Sequence, residues 1–240
     1  MSTISALYKL FIGYQVSKGR ILLSFLAAGC IVIFGILIER LVPVSDRAEA
    51  FLTVTALLAL SLTAPILSLV FASTTFNQLV EDETLVYLWL RPAPRWHLAV
   101  ASWLASLSVA LPVIAIPVAA SAAVATSGDI TIVFATGLAM SLATVAYTAI
   151  FNLLGLLVRQ ALIWGMMYIF IWELFVAQVG AGAANLSVRS YATSVLAEIS
   201  DTHLFMLSDR GISTAVIVPL IMAAGALGLT VRRLNTLEVA

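Results

Sequence analysis

Long apolar stretches alternate along this chain with short polar breaks, and the alternation predicts its architecture. A run such as ILLSFLAAGCIVIFGILIERLV is long enough to cross a bilayer, which needs about 20 apolar residues. Six spans are predicted, at 21–42, 51–72, 97–126, 131–158, 161–183 and 213–231. The first twenty residues follow a different pattern. Ile4, Leu7, Tyr8 and Phe11 fall on one helical face at i, i+3, i+4 and i+7, and Lys9, Lys18 and Arg20 make the segment basic. That combination predicts a helix lying in the membrane interface over residues 1–20. It is not read as a cleavable signal, because a full-length span follows without a small-residue cleavage site in the usual register. In the long break before the last span, Val188, Tyr191, Val195 and Ile199 recur at helical spacing, predicting a short helix at the outer surface. The expected fold class is all-α integral membrane, a single domain over 1–240 with six transmembrane helices over 21–231 and a tail at 232–240.

Composition agrees with that reading. Of 240 residues 62% are hydrophobic and 10% charged, with mean hydropathy +1.10, whereas a soluble domain carries about a quarter charged residues. The net charge is zero, so its distribution matters more than its sum. With six spans and the N-terminus inside, Lys9, Lys18, Arg20, Arg91, Arg95, Arg159, Arg232 and Arg233 are cytoplasmic, and Arg40, Arg47, Arg189 and Arg210 are outside. Eight against four obeys the positive-inside rule. Arginine outnumbers lysine ten to two, a bias that hints at a GC-rich bacterial genome. The one cysteine, Cys30, excludes an internal disulfide and a thiolate metal cluster. No GxxxxGK[ST] loop occurs, so ATP, if used, comes through another subunit. The halves show no repeat of the kind secondary carriers carry.

One cytoplasmic stretch stands apart: EDETLVYLWLRPAPRW, residues 81–96. Thr84 suits a helix cap, with Glu81, Asp82 and Glu83 beside the helix's positive end. Leu85, Leu88 and Trp89 then share a face. Pro92 discourages helix at Arg91, and Pro94 suits the first turn of the next helix. Arg91 and Arg95 fit lipid head groups, and Trp96 and His97 mark the interface. Residues alone allow two readings: a short helix that meets a partner, or a loop that packs on its own bundle.

This segment resembles the cytoplasmic signature of type-2 ABC exporter permeases, in which acids precede Thr-Leu, an apolar stretch, Arg-Pro and a second Arg. The matching positions are Glu81, Glu83, Thr84, Leu85, Leu88, Arg91, Pro92 and Arg95; the family often has Gly where this chain has Glu83. YIFIWELF (168–175) followed by NLSVRSY (185–191) is similar to the fifth span and outer loop of bacterial members. The resemblance covers essentially the whole chain. It implies that residues 81–91 form a coupling helix docking in a groove of an ATP-binding subunit. It also implies small helices before span six that cap the exit path. It further implies two permease copies, identical or related, with two ATP-binding subunits that use ATP and Mg; no cofactor binds this chain directly. The location implied is the bacterial plasma membrane, with both termini cytoplasmic. The expected cargo is hydrophobic or amphipathic: a drug, lipid or natural product. A haem-exporter-like permease of cytochrome c maturation is the alternative within the family.

Glu173 is the only acid deep in a predicted span. A buried ionisable group in a membrane usually faces a cavity or bundle interior. A proton site, a substrate contact and a structural or gating partner are all open to it, and the last is the expectation. Asn152 and Gln178 are candidate interhelical hydrogen-bond partners. An ion-coupled carrier would rest on Glu173 alone. An intramembrane enzyme fits poorly, since neither a Gly-x-Ser-x-Gly elbow nor a His-Glu-x-x-His motif occurs. No catalytic residue, metal site or nucleic-acid surface is predicted.

Overall fold

In hydrocarbon every backbone polar group must be satisfied within its own segment, and the described residues of this chain are accordingly all helix, turn and short connection. The computed structural model describes residues 3–15, 17–81, 94–176, 181–201 and 210–236. Helix α1 spans Thr3–Gln15 and α2 Lys18–Leu41. Helix α3, Arg47–Val54, continues without a break through a π-helical stretch, Thr55–Thr63, into α4, Ala64–Glu81. Helices α5 (Arg95–Ala125) and α6 (Ile130–Leu157) form the next pair. A short α7, Ala161–Met167, runs into a second π stretch, Tyr168–Glu173. Then come α8 (Ala181–Ala184), α9 (Val188–Ser200) and α10 (Ile212–Thr236).

Local chemistry fixes the ends. The Ser17 hydroxyl accepts from the Arg20 N–H at the start of α2, and Asp129 Oδ1 accepts from the Thr131 N–H, 2.9 Å, at the start of α6. Between α5 and α6 the chain reverses in four residues, with Ser127 and Gly128 at φ 55° and 87°, a conformation that glycine adopts freely. Arg47 reaches back to the Glu39 and Val42 carbonyls, so the end of α2 is capped by the start of α3. This shortens the expected polar break: the helix begins at Arg47 rather than at 51, and it runs on to Glu81 rather than stopping at 72.

Five helical runs are long and apolar enough to cross a membrane: Lys18–Leu41, Arg47–Phe76, Arg95–Ala125, Ile130–Leu157 and Ile212–Thr236. The fifth expected span, 161–183, is not one helix. Its regular part stops at Glu173, about 20 Å at 1.5 Å per residue, short of the roughly 30 Å hydrocarbon core. The chain turns there instead of continuing.

Helix α6 is the hub, packed by α4, α5, α9 and α10. The close approaches are made by small residues. A Cβ on Gly155 of α6 would lie 2.6 Å from the Ser73 carbonyl oxygen of α4, so these helices touch backbone to backbone. One cluster gathers Leu7 and Phe11 of α1, Phe76 of α4, Leu98 of α5, Leu156 of α6 and Leu234 of α10. It fixes which helix ends lie together: α1, the ends of α4, α6 and α10, and the start of α5. We call this end the base.

Candidate functional site

The acidic stretch joins the end of α4 to the start of α5, both of which lie at the base. Only its margins fall within the described residues: Glu81 is the last residue of α4 and Arg95 the first of α5. Asp82, Glu83, Thr84, Leu85, Leu88, Trp89, Arg91 and Pro92 lie outside them, as does Gln178. Glu81 therefore sits at the negative end of α4, and whether a helix starts beside it falls on residues outside the described ones.

The two helices that flank that stretch are tied together at the base. Helix α1 lays its apolar face on α4 and α5, with Phe11 edge-on to Phe76 at 6.2 Å between ring centroids. Its expected place in the interface is thus also a place on the bundle. At its end Gln15, 1% exposed, donates to Thr75 Oγ1 of α4 and Ser106 Oγ of α5, each 2.9 Å. With the amide turned over, the same two hydroxyls meet its oxygen and its nitrogen reaches the Ala105 carbonyl at 3.2 Å. Either way the amide joins three helices. The Thr75 and Ser106 hydroxyls are 3.2 Å apart, and Ser106 donates to the Ser102 carbonyl. Asn152 Nδ2 of α6 donates to Ser102 Oγ at 2.9 Å. A polar ladder thus runs from α1 through α4 and α5 to α6, and Asn152 is the interhelical partner its sequence position predicts.

Gln15 itself is missed by a reading that stops at the apolar face. The signal is present: 15 continues the register 4, 8, 11, so a polar side chain occupies an apolar position. Ser102 and Ser106 carry a matching signal, two small hydroxyls at i, i+4 inside α5.

The second cluster surrounds Glu173, which is fully buried. Its Oε2 accepts from Ser187 Oγ at 2.5 Å and its Oε1 from the Tyr168 hydroxyl at 3.2 Å. The Val188 N–H adds a backbone hydrogen bond to the carboxyl. Ser187 is the N-cap of α9, so the acid sits at that helix's positive end, where backbone N–H groups lack intrahelical partners. Arg189 Nη1 points to the Glu173 backbone carbonyl at 3.5 Å. The Tyr147 hydroxyl of α6 faces the same carboxyl but stands outside hydrogen-bonding geometry. Below it, Tyr147 stacks on Phe151, and Phe151 meets Tyr168 edge-on at 6.0 Å.

This geometry explains the turn at 173. The carboxyl is satisfied by residues 14 positions later, and satisfying it folds the chain back into the bundle. Helix α9 then packs on α6 with Val188, Tyr191, Val195 and Leu196 buried, which is the helix expected from VRSYATSVLAEI. Arg210 locks it to the start of α10: the guanidinium donates to Ser190 Oγ at 3.0 Å and Asn185 Oδ1 at 2.8 Å, and lies 4.7 Å over the Tyr191 ring. The two π stretches also meet beside this cluster, and the first touches α9. Such stretches are uncommon and recur at functional sites.

Chemically, the Glu173 cluster is a set of hydroxyl and N–H donors converging on one acid. Among the described residues no three His, Cys, Asp or Glu side chains gather as a metal ion requires. Compared with known proteins, the sequence matches no family model and no curated protein.

Proposed function

We propose that this chain is the membrane subunit of an ATP-driven exporter of the type-2 ABC permease kind, moving a hydrophobic or amphipathic compound across the bacterial plasma membrane. The observation that carries the reading is the stretch 81–95: three acids, an apolar Leu/Trp face and an Arg-Pro stop, strung between α4 and α5 at the base. The surroundings suit a docking element. Phe76 of α4, Leu98 of α5 and the apolar face of α1 share one cluster there, and Gln15 joins the three helices. A push on the stretch therefore reaches three helices together.

On this reading the membrane is crossed six times. Leu156 ends α6 at the base, and α10 returns to the base at Leu234, so residues between them complete one crossing as a broken fifth span. The base is cytoplasmic, with Lys9, Lys18, Arg20, Arg159, Arg232 and Arg233 near it. Two copies work with two ATP-binding subunits, which use ATP and Mg. The π stretches give the second and fifth crossings places to change length under load. A proton-driven carrier, the reading Glu173 alone would support, is disfavoured because that acid is held by donors from its own chain.

The test is to purify the chain with a candidate ATP-binding subunit and measure retained partner and substrate-stimulated hydrolysis. Replacing Leu88 and Trp89 by Ala should remove the anchor, a loss of about 2 kcal/mol or more for each hot-spot side chain. Reversing Glu81 and Glu83 to Lys should weaken association in a salt-dependent way. Undiminished coupling in both variants would return the stretch to a loop that joins two spans.

A further inference from the structure

Tyr147 carries a hydroxyl that has no use in the arrangement around Glu173. The residue is fully buried, and among the described residues its oxygen has no hydrogen-bond partner. Leaving a buried hydroxyl unpaired costs more than a typical hydrogen bond contributes, and phenylalanine would fill the same space without that cost. The hydroxyl faces the Glu173 carboxyl, whose Oε1 is the less firmly held of its two oxygens. Ser187 Oγ binds Oε2 at 2.5 Å, whereas Tyr168 reaches Oε1 only at 3.2 Å, beyond the usual range of roughly 2.5–3.0 Å for O–H···O. Oε1 has lone pairs to spare for another donor.

Helix geometry makes the Tyr168 bond conditional. Tyr168 and Glu173 are five residues apart and bound the second π stretch. At about 3.6 residues per turn, positions i and i+5 lie about 140° apart around a helix, so these side chains meet only while the turn is widened. The Leu174 N–H, bonded at 3.2 Å to the Ile169 carbonyl five residues back, marks that widening. Tyr147 stands on the hub helix α6 and does not depend on the turn. The two tyrosines share a neighbour: Phe151 stacks on Tyr147 and meets Tyr168 edge-on.

From this geometry we infer that Tyr168–Glu173 is a two-state latch with Tyr147 as its second catch. In the described state the turn is π-helical and Tyr168 holds Oε1. In the other the turn winds to α, Tyr168 swings away from Glu173, and the Tyr147 hydroxyl donates to Oε1 instead. Ser187 keeps Oε2 in both, so the carboxyl stays at the start of α9 while the winding of the segment before it changes. One hydrogen bond is exchanged for another, which keeps the two states close in energy. The first π stretch touches both this turn and α9, so the change reaches the run Arg47–Glu81. The inference concerns packing on α6 and does not rest on the chain being an exporter subunit.

The test uses the full chain in detergent, with 3-fluorotyrosine at position 147 alone, read by fluorine NMR. Two signals are expected, the minor one from the hydroxyl bonded to Glu173. Tyr168→Phe removes the competing donor and should raise the minor signal relative to the major one about fivefold, the weight of one ordinary hydrogen bond. Thermal unfolding gives an independent reading. Tyr147→Phe should not lower the transition while Tyr168 is present, and should lower it by about 2–4 °C in the Tyr168→Phe background, the shift one hydrogen bond makes in a chain of this size. Equal effects of Tyr147→Phe in the two backgrounds mean that its hydroxyl never replaces that of Tyr168, and overturn the latch. A single signal that does not respond to Tyr168→Phe overturns it as well, and leaves Tyr147 a packing ring.

Discussion

Helices α2 and α6 are both membrane-length, yet they are opposite kinds of helix. The best window of α2 has mean hydropathy 2.9 and only 11% of it is buried within the protein; that of α6 has mean hydropathy 1.8 and 56% is buried. The more apolar helix is the more exposed. In water this order would be reversed. In a bilayer, lipid is as apolar as leucine, so burial brings no hydrophobic gain and helices pack through small residues and polar contacts instead. Helix α6 has Ala, Gly and Thr where it meets neighbours, with Gly155 touching the α4 backbone. Helix α2 turns Leu22, Phe25 and Leu26 outward.

The contrast can be broken most sharply at glycines. Gly155→Leu in α6 forces a side chain against the Ser73 backbone, which cannot move aside, and should cost about 3 kcal/mol. Gly29→Leu in α2 meets nothing within 4 Å and should stay within about 0.5 kcal/mol of wild type. Thermal unfolding of both in one detergent decides it; equal losses would mean that α2 is packed as tightly as α6.

Next in size is the pin at Glu173. Glu173→Leu leaves Ser187 Oγ and the Val188 N–H without their acceptor, a loss of roughly 1–3 kcal/mol. Glu173→Gln keeps an acceptor and should be the milder of the two. Should Gln abolish the proposed transport in a protein that still assembles, the acid's charge matters, and the structural role assigned to it fails.

Gln15→Leu should have the smallest effect, about 1 kcal/mol. Thr75 and Ser106 also donate to backbone carbonyls of their own helices, so the variant strands no hydroxyl. Faster proteolysis within α1, with the thermal transition of the remaining bundle little changed, is the expected signature. An unchanged cleavage rate would mean that Phe11 and Leu7 hold α1 without the amide.

The lipid-facing helices are the part of this fold most readable from sequence, since every outward position in α2 must be apolar and a run of such positions has few other meanings. The amphipathic register of α1 and of α9 is equally plain. Two features are hidden for a physical reason. The π stretch TALLALSLT is apolar on all sides, so no periodicity records its widened turn; a trace is the Ser61 hydroxyl bonding the carbonyl five residues back. The break at Glu173 depends on Ser187 and Val188, which no local window joins to it. The run 161–183 therefore reads as an ordinary span. Asn152 is readable as a polar group inside a helix, but its partner Ser102 emerges only when α5 and α6 are packed.

On the proposed six-crossing topology, the stretch joining α4 to α5 and the region after α9 face opposite sides of the membrane, with residues 161–211 completing a crossing although the regular helix stops at Glu173. The direct measurement is side-specific labelling of single cysteines at Asp82 and at Asp201, in a Cys30→Ser background, in intact cells and inverted vesicles. Asp82→Cys should react only from the cytoplasmic side and Asp201→Cys only from the outside. Labelling of both from one side would mean that the broken helix does not complete a crossing, and the assignment of the base to the cytoplasm would fall with it.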